Sequence, residues 1–260
     1  EILEKILHSI VLVLTKNHEL HKKDFNQRPF FRLFENLLFD IRRREYNFTQ
    51  QESTSFLTLF TKVFDTLQPL KYPGFAFSWL ELISSRNFMP LIILNNQNKT
   101  ENWRNYAQLF VSLFKFFNET MEGENYKSEF YQLFYKGTLM SLLVLLHDFP
   151  EFLIEASFLL VENLPEKFNQ VRNIIFSALP QTRPLPDPFL VNDQIQLKEE
   201  FKALPTYLYN FDERVINIKL HEEIVKYLTA KNDVNEIYFR NICSKFLTKN
   251  ANGEVTINQS

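Results

Sequence analysis

The chain has 260 residues with 28 phenylalanines, an aromatic fraction of 15% and a hydrophobic fraction of 45%, so a large, aromatic-rich core is available. Its 29 basic and 31 acidic side chains give a formal charge of −2, which excludes a global field that would attract nucleic acid or an anionic membrane. Cys243 is the single cysteine, so an intramolecular disulfide and a Cys-based zinc cluster are excluded. We expect a buried, inert thiol in a reducing, intracellular compartment, and no apolar run has the roughly 20 residues needed to cross a bilayer.

Helical periodicity starts with the first residues of the chain. Apolar residues recur every three to four positions over Leu3–Leu14, which predicts a helix with one buried face. Because no start signal precedes this helix, we expect the N-terminus to be a boundary inside a larger protein. Pro29 suits the first turn of a second helix, whose apolar stripe covers Phe30–Ile41.

The second helix is predicted to end in a triple arginine, Arg42, Arg43 and Arg44. Positive side chains are favourable at the negative end of a helix dipole, so a solvated helix end explains the triplet. A local basic patch that contacts phosphate or RNA explains it as well. Both interpretations stay open at this point.

The later predicted helices show the same periodicity of apolar residues. Thr49 and Glu52 have capping-box spacing and predict the start of a third helix. Further helices are predicted over residues 76–84, 89–95, 101–121, 127–148, 150–162, 166–179, 192–202, 217–229 and 233–248. Gly137 is tolerated inside one of them and indicates a close helix crossing. Residues 249–260 are expected to be frayed or to form the edge of a loop.

These elements predict an all-α fold of irregular, HEAT-like stacked helical hairpins of the α-solenoid type. No period-two run rivals the helical stripes, and four glycines are too few for an all-β protein or a Gly-rich nucleotide fold. No sequence repeat has a fixed period, so the predicted repeat is architectural. We divide the chain into a helical stack at 1–179, a proline-rich strap at 180–190 and a second stack at 191–260, all within one domain.

The strap contains four prolines between Pro180 and Pro188. Proline cannot continue a helix and biases the preceding residue towards extended geometry, so a semi-rigid segment of roughly 25–28 Å is predicted. In one interpretation Leu185 and Phe189 plug the strap into the core and Asp187 caps the next element. In the other, an extended partner segment lies on a ledge at the strap. The candidate partner-binding residues are Arg183, Leu185, Asp187 and Phe189.

Polar groups that could converge on a catalytic site are scarce. His18 and His21 are spaced for one helix face, but no nearby Cys or third His completes a metal set, which favours a surface pair. His147 and Asp148 are adjacent at a predicted helix end, where we expect their side chains to point away from each other. The sequence has no Gly-rich phosphate loop, nucleophile elbow or HExxH helix. We therefore predict no catalytic residue, no metal, no cofactor and no enzymatic activity.

RNA binding is the second class of function considered. Helical repeats that bind single strands place basic and aromatic residues at matching positions in successive units, and this chain has no such register. Trp79 and Trp103 could stack on bases, but each lies in an apolar stripe and is predicted to belong to the core. Direct nucleic-acid binding is not expected, and an RNA-contacting helical repeat centred on Arg42–Arg44 is the alternative function.

Two ordered stretches of sequence carry information beyond composition. The first is YPGFAFSWLELIS at 72–84, followed by Arg86, Asn87, Phe88 and Pro90. The second is NLP at 163–165 and QVRNIIFSA at 170–178, which leads into the strap. Together they closely resemble the C-terminal domain of the Not-one family, the large scaffold subunit of the CCR–NOT deadenylase complex. The resemblance is clearest over residues 70–190.

The resemblance implies a non-catalytic domain of stacked HEAT-like helices that docks a heterodimer of NOT-box subunits. It extends the expected partners to a ubiquitin-ligase subunit and to repressors of particular messengers. It also implies a part in mRNA deadenylation, mRNA decay, translational repression and transcription regulation, in the cytoplasm and the nucleus. Because the family domain continues with more helices after 233–248, we expect a second stack that is truncated at its C-terminal end and lacks part of the docking surface.

Overall fold

A computed structural model describes residues 2–44, 48–120, 128–178, 220–229, 239–240, 242–244, 247–249 and 255–257. The chain forms two compact units, Glu1–Leu208 and Tyr209–Ser260. The predicted strap at 180–190 and the predicted helix at 192–202 lie outside the described residues. The division into two stacks joined by a strap therefore stays a prediction.

The described part of the first unit is helical. Its helices are α1 (Ile2–His21), α2 (Arg28–Arg43), α3 (Gln50–Thr66), α4 (Ala76–Ile83), α5 (Met89–Leu94), α6 (Lys99–Thr120), α7 (Glu129–Asp148), α8 (Pro150–Glu162) and α9 (Asn169–Ser177). Short 3₁₀ turns at Lys22–Asp24 and Pro73–Phe75 precede α2 and α4. The prediction of an all-α fold of stacked, solenoid-type helices is confirmed, with small shifts at the helix ends.

Local chemistry explains where several helices begin. Thr49 is the N-cap of α3: its side chain accepts from the Glu52 backbone N–H at 3.3 Å, and the Glu52 carboxylate accepts from the Thr49 N–H at 2.9 Å. That second bond lowers the pKa of the Glu52 carboxyl. Proline occupies the first turn of α2, α5 and α8, where its missing N–H costs nothing.

Helix α6 lies at the centre of the core of this unit, is buried along most of its length and packs against α3, α5 and α8. Its Tyr106 hydroxyl donates to the Ile83 carbonyl at 2.9 Å, and burial raises the Tyr106 pKa well above its ordinary value. Its Trp103 indole N–H donates to the Ile93 carbonyl at 2.9 Å. These carbonyls belong to the last turns of α4 and α5, where backbone oxygens have no partner within the helix.

Trp79 makes the same kind of bond from α4. Its indole N–H donates to the Phe64 carbonyl, in the last turn of α3, at 2.7 Å, and its side chain is fully buried. Trp103 is 2% exposed. The prediction that both tryptophans belong to the core is confirmed, and neither offers a surface for stacking on bases.

Helices α4 and α7 cross at close range. A Cβ atom added at Gly137 would lie 3.0 Å from Leu80 Cδ2. The hydroxyls of Ser84 and Ser141 are 2.7 Å apart near the same crossing. The interpretation of Gly137 as the mark of a close helix crossing is confirmed.

The described part of the second unit contains helix α10 (His221–Thr229), helical residues at 239–240 and 242–244, and a small hairpin. Strands β1 (Leu247–Lys249) and β2 (Val255–Ile257) pair antiparallel, with Thr248 opposite Thr256. Helix α10 starts a few residues later than predicted.

Three expectations for this unit were wrong. The predicted helix at 233–248 is helical at its described residues 239–240 and 242–244, but its predicted end is wrong because 247 and 248 belong to β1. Residues 255–257 of the predicted frayed end form β2. The sequence between the strands contains Asn252-Gly253, a strong hairpin signal that outweighs the short helical pattern before it. Cys243 is exposed, whereas we expected a buried thiol. Among the described helices, none is both long enough and apolar enough to cross a membrane.

Substitution of Trp79 tests the role of the buried indole. We expect Trp79→Ala to lower the free energy of unfolding by about 3–5 kcal/mol, because it leaves a large cavity and removes the bond to the Phe64 carbonyl. Trp79→Phe should cost less, since it keeps most of the packing. Urea unfolding followed by circular dichroism measures both. An alanine variant as stable as the wild type would show that Trp79 does not contribute to folding.

Candidate functional site

The structure describes one of the two candidate sites. Arg183, Leu185, Asp187 and Phe189 lie outside the described residues, so their partner-binding role stays a prediction. The basic patch at the end of α2 is described, and all three of its arginines are exposed.

Arg42 is held in a defined orientation by the loop between α4 and α5. Its Nη1 group donates to the Arg86 carbonyl at 2.7 Å and to Asn87 Oδ1 at 3.1 Å. Arg44 closes the end of α2, where its backbone N–H donates to the Asp40 and Ile41 carbonyls. Arg44 therefore ends the helix, as the first interpretation of the triplet expects, and Arg42 faces a surface shared with the next loop, while the phosphate or RNA contact stays a prediction.

A hydrogen-bond network behind Arg42 joins α2 to that loop. The Glu35 carboxylate accepts from Asn87 Nδ2 at 2.6 Å and from the Ser85 hydroxyl at 3.0 and 3.1 Å. The Ser85 hydroxyl in turn accepts from the Asn87 backbone N–H at 3.1 Å. Asn87 is only 5% exposed, so its amide is a buried link between the carboxylate and the guanidinium of Arg42. The network orients Arg42 before any partner binds.

Two surface grooves of about 470 Å³ each share Arg42 in their walls. One is basic and is lined by Phe39, Arg42, Arg43, Arg86 and Asn87. The other is largely apolar with an amide rim, and its lining includes Ile41, Phe48, Leu57, Pro90, Leu91, Leu94, Asn95, Asn96 and Gln97. Sequence reasoning missed Glu35, Phe39 and the site role of Arg86 and Asn87, which appeared only as parts of a family motif. No local pattern places them beside Arg42, because they come from two separate segments.

The arrangement can bind anions but has no catalytic geometry. Guanidinium groups donate hydrogen bonds to carboxylate or phosphate oxygens and do not exchange protons at neutral pH. Within the described ranges, no group of three or more His, Cys, Asp or Glu side chains could hold a metal ion.

His18 is not a surface residue paired with His21. Its Nε2 atom accepts from the Gly74 backbone N–H at 3.2 Å, and its ring contacts Phe25 and Tyr72 with centroids 5.1 and 5.4 Å away. Burial lowers the pKa of His18, and the charge of Glu19 opposes this effect. His21 is exposed and contacts the Asn17 carbonyl at the end of α1. The favoured interpretation as a surface pair was therefore wrong for His18, which anchors α1 to the turn before α4.

His147 and Asp148 also differ from the prediction. Their side chains point towards each other, with His147 Nδ1 2.7 Å from Asp148 Oδ1, because the helix ends there. The His147 side chain is 87% exposed, and the pair lies at a helix end, as the sequence predicted.

The chain is similar to known proteins over most of its length. A family model described as "CCR4-Not complex component, Not1" matches residues 38–260. The chain is 36% identical over 217 residues to "General negative regulator of transcription subunit 1" of Saccharomyces cerevisiae, covering 79% of this chain and 10% of that protein. It is 36% identical over 197 residues to the "CCR4-NOT transcription complex subunit let-711" of Caenorhabditis elegans, covering 74% and 7%. The chain thus spans about a tenth or less of these relatives.

Solved structures with the same fold cover nearly the whole chain. The NOT1 superfamily homology domain from Chaetomium thermophilum matches with a TM-score of 0.82 at 24% identity, covering 98% of this chain and 49% of that one. At that identity the likeness concerns the fold alone. A "Not1 C-terminal domain in complex with Not4" matches with a TM-score of 0.72 at 29% identity, covering 94% and 48%.

Asn87 provides a test of the network that orients Arg42. We expect Asn87→Ala to lower the free energy of unfolding by about 1–3 kcal/mol, because Glu35 and Arg42 each lose a partner at a buried position. Asn96→Ala, at an exposed position of the α5–α6 loop, is the matched control and should change stability by less than about 0.5 kcal/mol. Equal urea midpoints for the two variants would contradict a structural role for Asn87.

His18 predicts a dependence of stability on pH. Its folded-state pKa is lowered from 6.5, so the unfolded chain binds the proton more tightly. The stabilising contribution is complete well above pH 6.5 and is lost as the pH falls through 6.5 towards the lowered folded-state value. His18→Gln keeps an acceptor for the Gly74 N–H but does not titrate. Lowering the pH from about 7.5 to 5.5 should therefore reduce the free energy of unfolding of the wild type more than that of the variant, as measured by urea unfolding. Parallel pH profiles for the two proteins would contradict the prediction.

Proposed function

Because the chain belongs to the Not1 family of CCR4-Not complex components, we propose that it is a protein-docking domain of the CCR4-Not scaffold. The family consists of non-catalytic scaffold subunits, so this chain is not an enzyme. Family membership carries the proposal. The described surface agrees with it, since the two grooves that share Arg42 are open, are lined by arginine and apolar side chains, and suit a partner chain better than a substrate.

We infer that the partners are other subunits of the same complex. The solved Not1 C-terminal domain bound to Not4 supports this inference, because 94% of this chain matches 48% of that domain. The partners proposed are the heterodimer of NOT-box subunits, a ubiquitin-ligase subunit and repressors of particular messengers. By holding them on the scaffold, the domain would serve mRNA deadenylation, mRNA decay, translational repression and transcription regulation in the cytoplasm and the nucleus.

The strap is the proposed contact for an extended partner segment. Because proline cannot continue a helix, we expect its backbone carbonyls to lack helical partners, and Arg183 and Asp187 would supply charges of opposite sign beside them. Leu185 and Phe189 would supply apolar contacts. An extended chain that lies along such a strap could pair both its backbone and its charges.

The RNA-contacting alternative has less support. Both tryptophans that could stack on bases are buried in the core. Arg42, one of the three arginines, is oriented by a protein network and borders an apolar groove rather than an aromatic platform.

Calorimetric titration of the chain with the purified pair of NOT-box subunits tests the proposed function. We expect tight binding, and we expect the double variant Arg183→Ala/Asp187→Ala to bind about tenfold more weakly at an unchanged melting temperature, because both charges at the strap are lost. The matched control is Arg32→Ala/Glu36→Ala on α2, which also removes one charge of each sign from exposed positions.

The outcomes separate the two parts of the proposal. A folded chain that does not bind the pair would overturn the assignment of these partners. If the strap variant and the control variant both bind the pair as tightly as the wild type, the docking function is supported. The strap is then not part of the contact surface.

A further inference from the structure

The basic groove at the end of α2 has donors that the fold does not use. A guanidinium group has five N–H donors, and the two that Arg42 uses both belong to Nη1. The edge formed by Nε and Nη2 thus remains available, and it is the edge that binds a carboxylate through two parallel hydrogen bonds. Since Nη1 is held by the Arg86 carbonyl and by buried Asn87, Arg42 presents this edge without losing much side-chain freedom on binding.

The positive charge of this groove exceeds the negative charge of the network behind it. Among the described residues, no ion pair joins Arg42, Arg43 or Arg86 to a carboxylate. Glu35, the one acidic residue of the network, accepts from Ser85 and Asn87 and offsets only part of the charge of the three arginines. The exposed surface therefore carries a local positive charge in a chain whose formal net charge is −2.

Apolar surface lies directly beside these arginines. Phe39 lines the basic groove and is 49% exposed. Across Arg42, the second groove is lined by Ile41, Leu91 and Leu94, the last of which is 65% exposed. Exposed apolar groups that alternate with fixed charges are typical of protein docking surfaces.

We propose that the two grooves around Arg42 form a docking site for an extended acidic segment of a partner protein, in which Asp or Glu side chains alternate with Leu or Phe. Successive side chains of an extended chain point in opposite directions, so carboxylates can contact the arginines while apolar side chains enter the groove at Leu91 and Leu94. This inference deepens the proposed docking function, on which it rests, by assigning a partner chemistry to one surface.

Charge complementarity favours a peptide over RNA as the occupant. A phosphodiester backbone would satisfy Arg42, Arg43 and Arg86 but would leave the aliphatic walls of the second groove without a matching group. Single-stranded RNA binding gains much of its energy from bases stacked on exposed aromatic rings, and this site offers Phe39 and the half-buried Phe48 on separate grooves. An acidic, apolar segment matches both parts of the surface.

Fluorescence anisotropy with the 260-residue chain tests the proposal. The probe is a fluorescein-labelled peptide of about ten residues, in which Glu and Asp alternate with Leu and Phe. A second peptide replaces every Glu and Asp with Gln and Asn, and the third probe is a poly(A) oligonucleotide of about ten nucleotides. We expect saturable binding of the acidic peptide, at least about tenfold weaker binding of the amide peptide, and affinity for the acidic peptide that falls with salt.

Variants locate the site. We expect Arg43→Glu and Arg86→Glu each to weaken binding of the acidic peptide about tenfold. Arg86→Glu keeps the backbone carbonyl that accepts from Arg42, and the Arg43 side chain is not one of the groups that hold Arg42 Nη1. Arg32→Glu is the matched control, since it makes the same change of charge on the exposed face of α2 outside both grooves and should have little effect. Phe39→Ala should also weaken binding, whereas Leu33→Ala, which removes an exposed apolar side chain elsewhere on α2, should not.

Several results would overturn the inference: equal binding of the acidic and amide peptides, equal effects of Arg43→Glu and Arg32→Glu, or binding of the oligonucleotide without the acidic peptide. The same variants titrated with the pair of NOT-box subunits separate this inference from the proposed function. If the chain binds the pair but not the acidic peptide, only the proposed docking site around Arg42 is contradicted. If the chain binds the peptide but not the pair, only the assignment of partners is contradicted.

Discussion

The hydrogen bonds from buried aromatic side chains to carbonyls at helix ends determine how the first unit is assembled. Helices α4 and α5 are short, and their last carbonyls would be buried without partners if no side chain reached them. Tyr106 and Trp103 donate to these carbonyls, at Ile83 and Ile93, and Trp79 of α4 donates in the same way to the Phe64 carbonyl in the last turn of α3. Each ring fills core volume and also satisfies a backbone oxygen of the neighbouring helix. The same side chain therefore provides apolar packing and determines which helix end it lies against. Apolar packing alone would not specify that helix end.

The surface around Arg42 depends on this assembly. Because α4 and α5 are held at their ends, the loop between them is fixed relative to α6, and Ser85 and Asn87 come within reach of Glu35 on α2. The loop then orients Arg42 through Asn87 and the Arg86 carbonyl. The surface around Arg42 is thus built from the core outwards, and its charges are placed by a loop between helices and not by a continuous motif.

A scaffold needs surfaces that bind partners without attracting polyanions in general. This chain has nearly balanced totals of acidic and basic residues, so any attraction is local and decays within about 10 Å at ordinary ionic strength. Docking is the role that we propose for this member of the Not1 family, and the two grooves around Arg42 are the described surface proposed for it. A surface with a local charge and adjacent apolar groups selects one kind of partner segment. A segment of the wrong charge, or one without apolar side chains to match the surface, binds more weakly.

The sequence by itself determined the helical class, most helix boundaries and the family. Periodicity, the Thr49 capping box and first-turn prolines are local signals, and local signals suffice for helices because their hydrogen bonds span only four residues. The hairpin at the C-terminal end was also predictable from Asn252-Gly253, although its two short strands left little period-two pattern. Only the tertiary structure decided that His18 accepts from Gly74 and that Glu35, Arg42 and Asn87 form one network. Those residues are separated by roughly fifty positions, and their contacts follow from how the helices cross, which no window of sequence records.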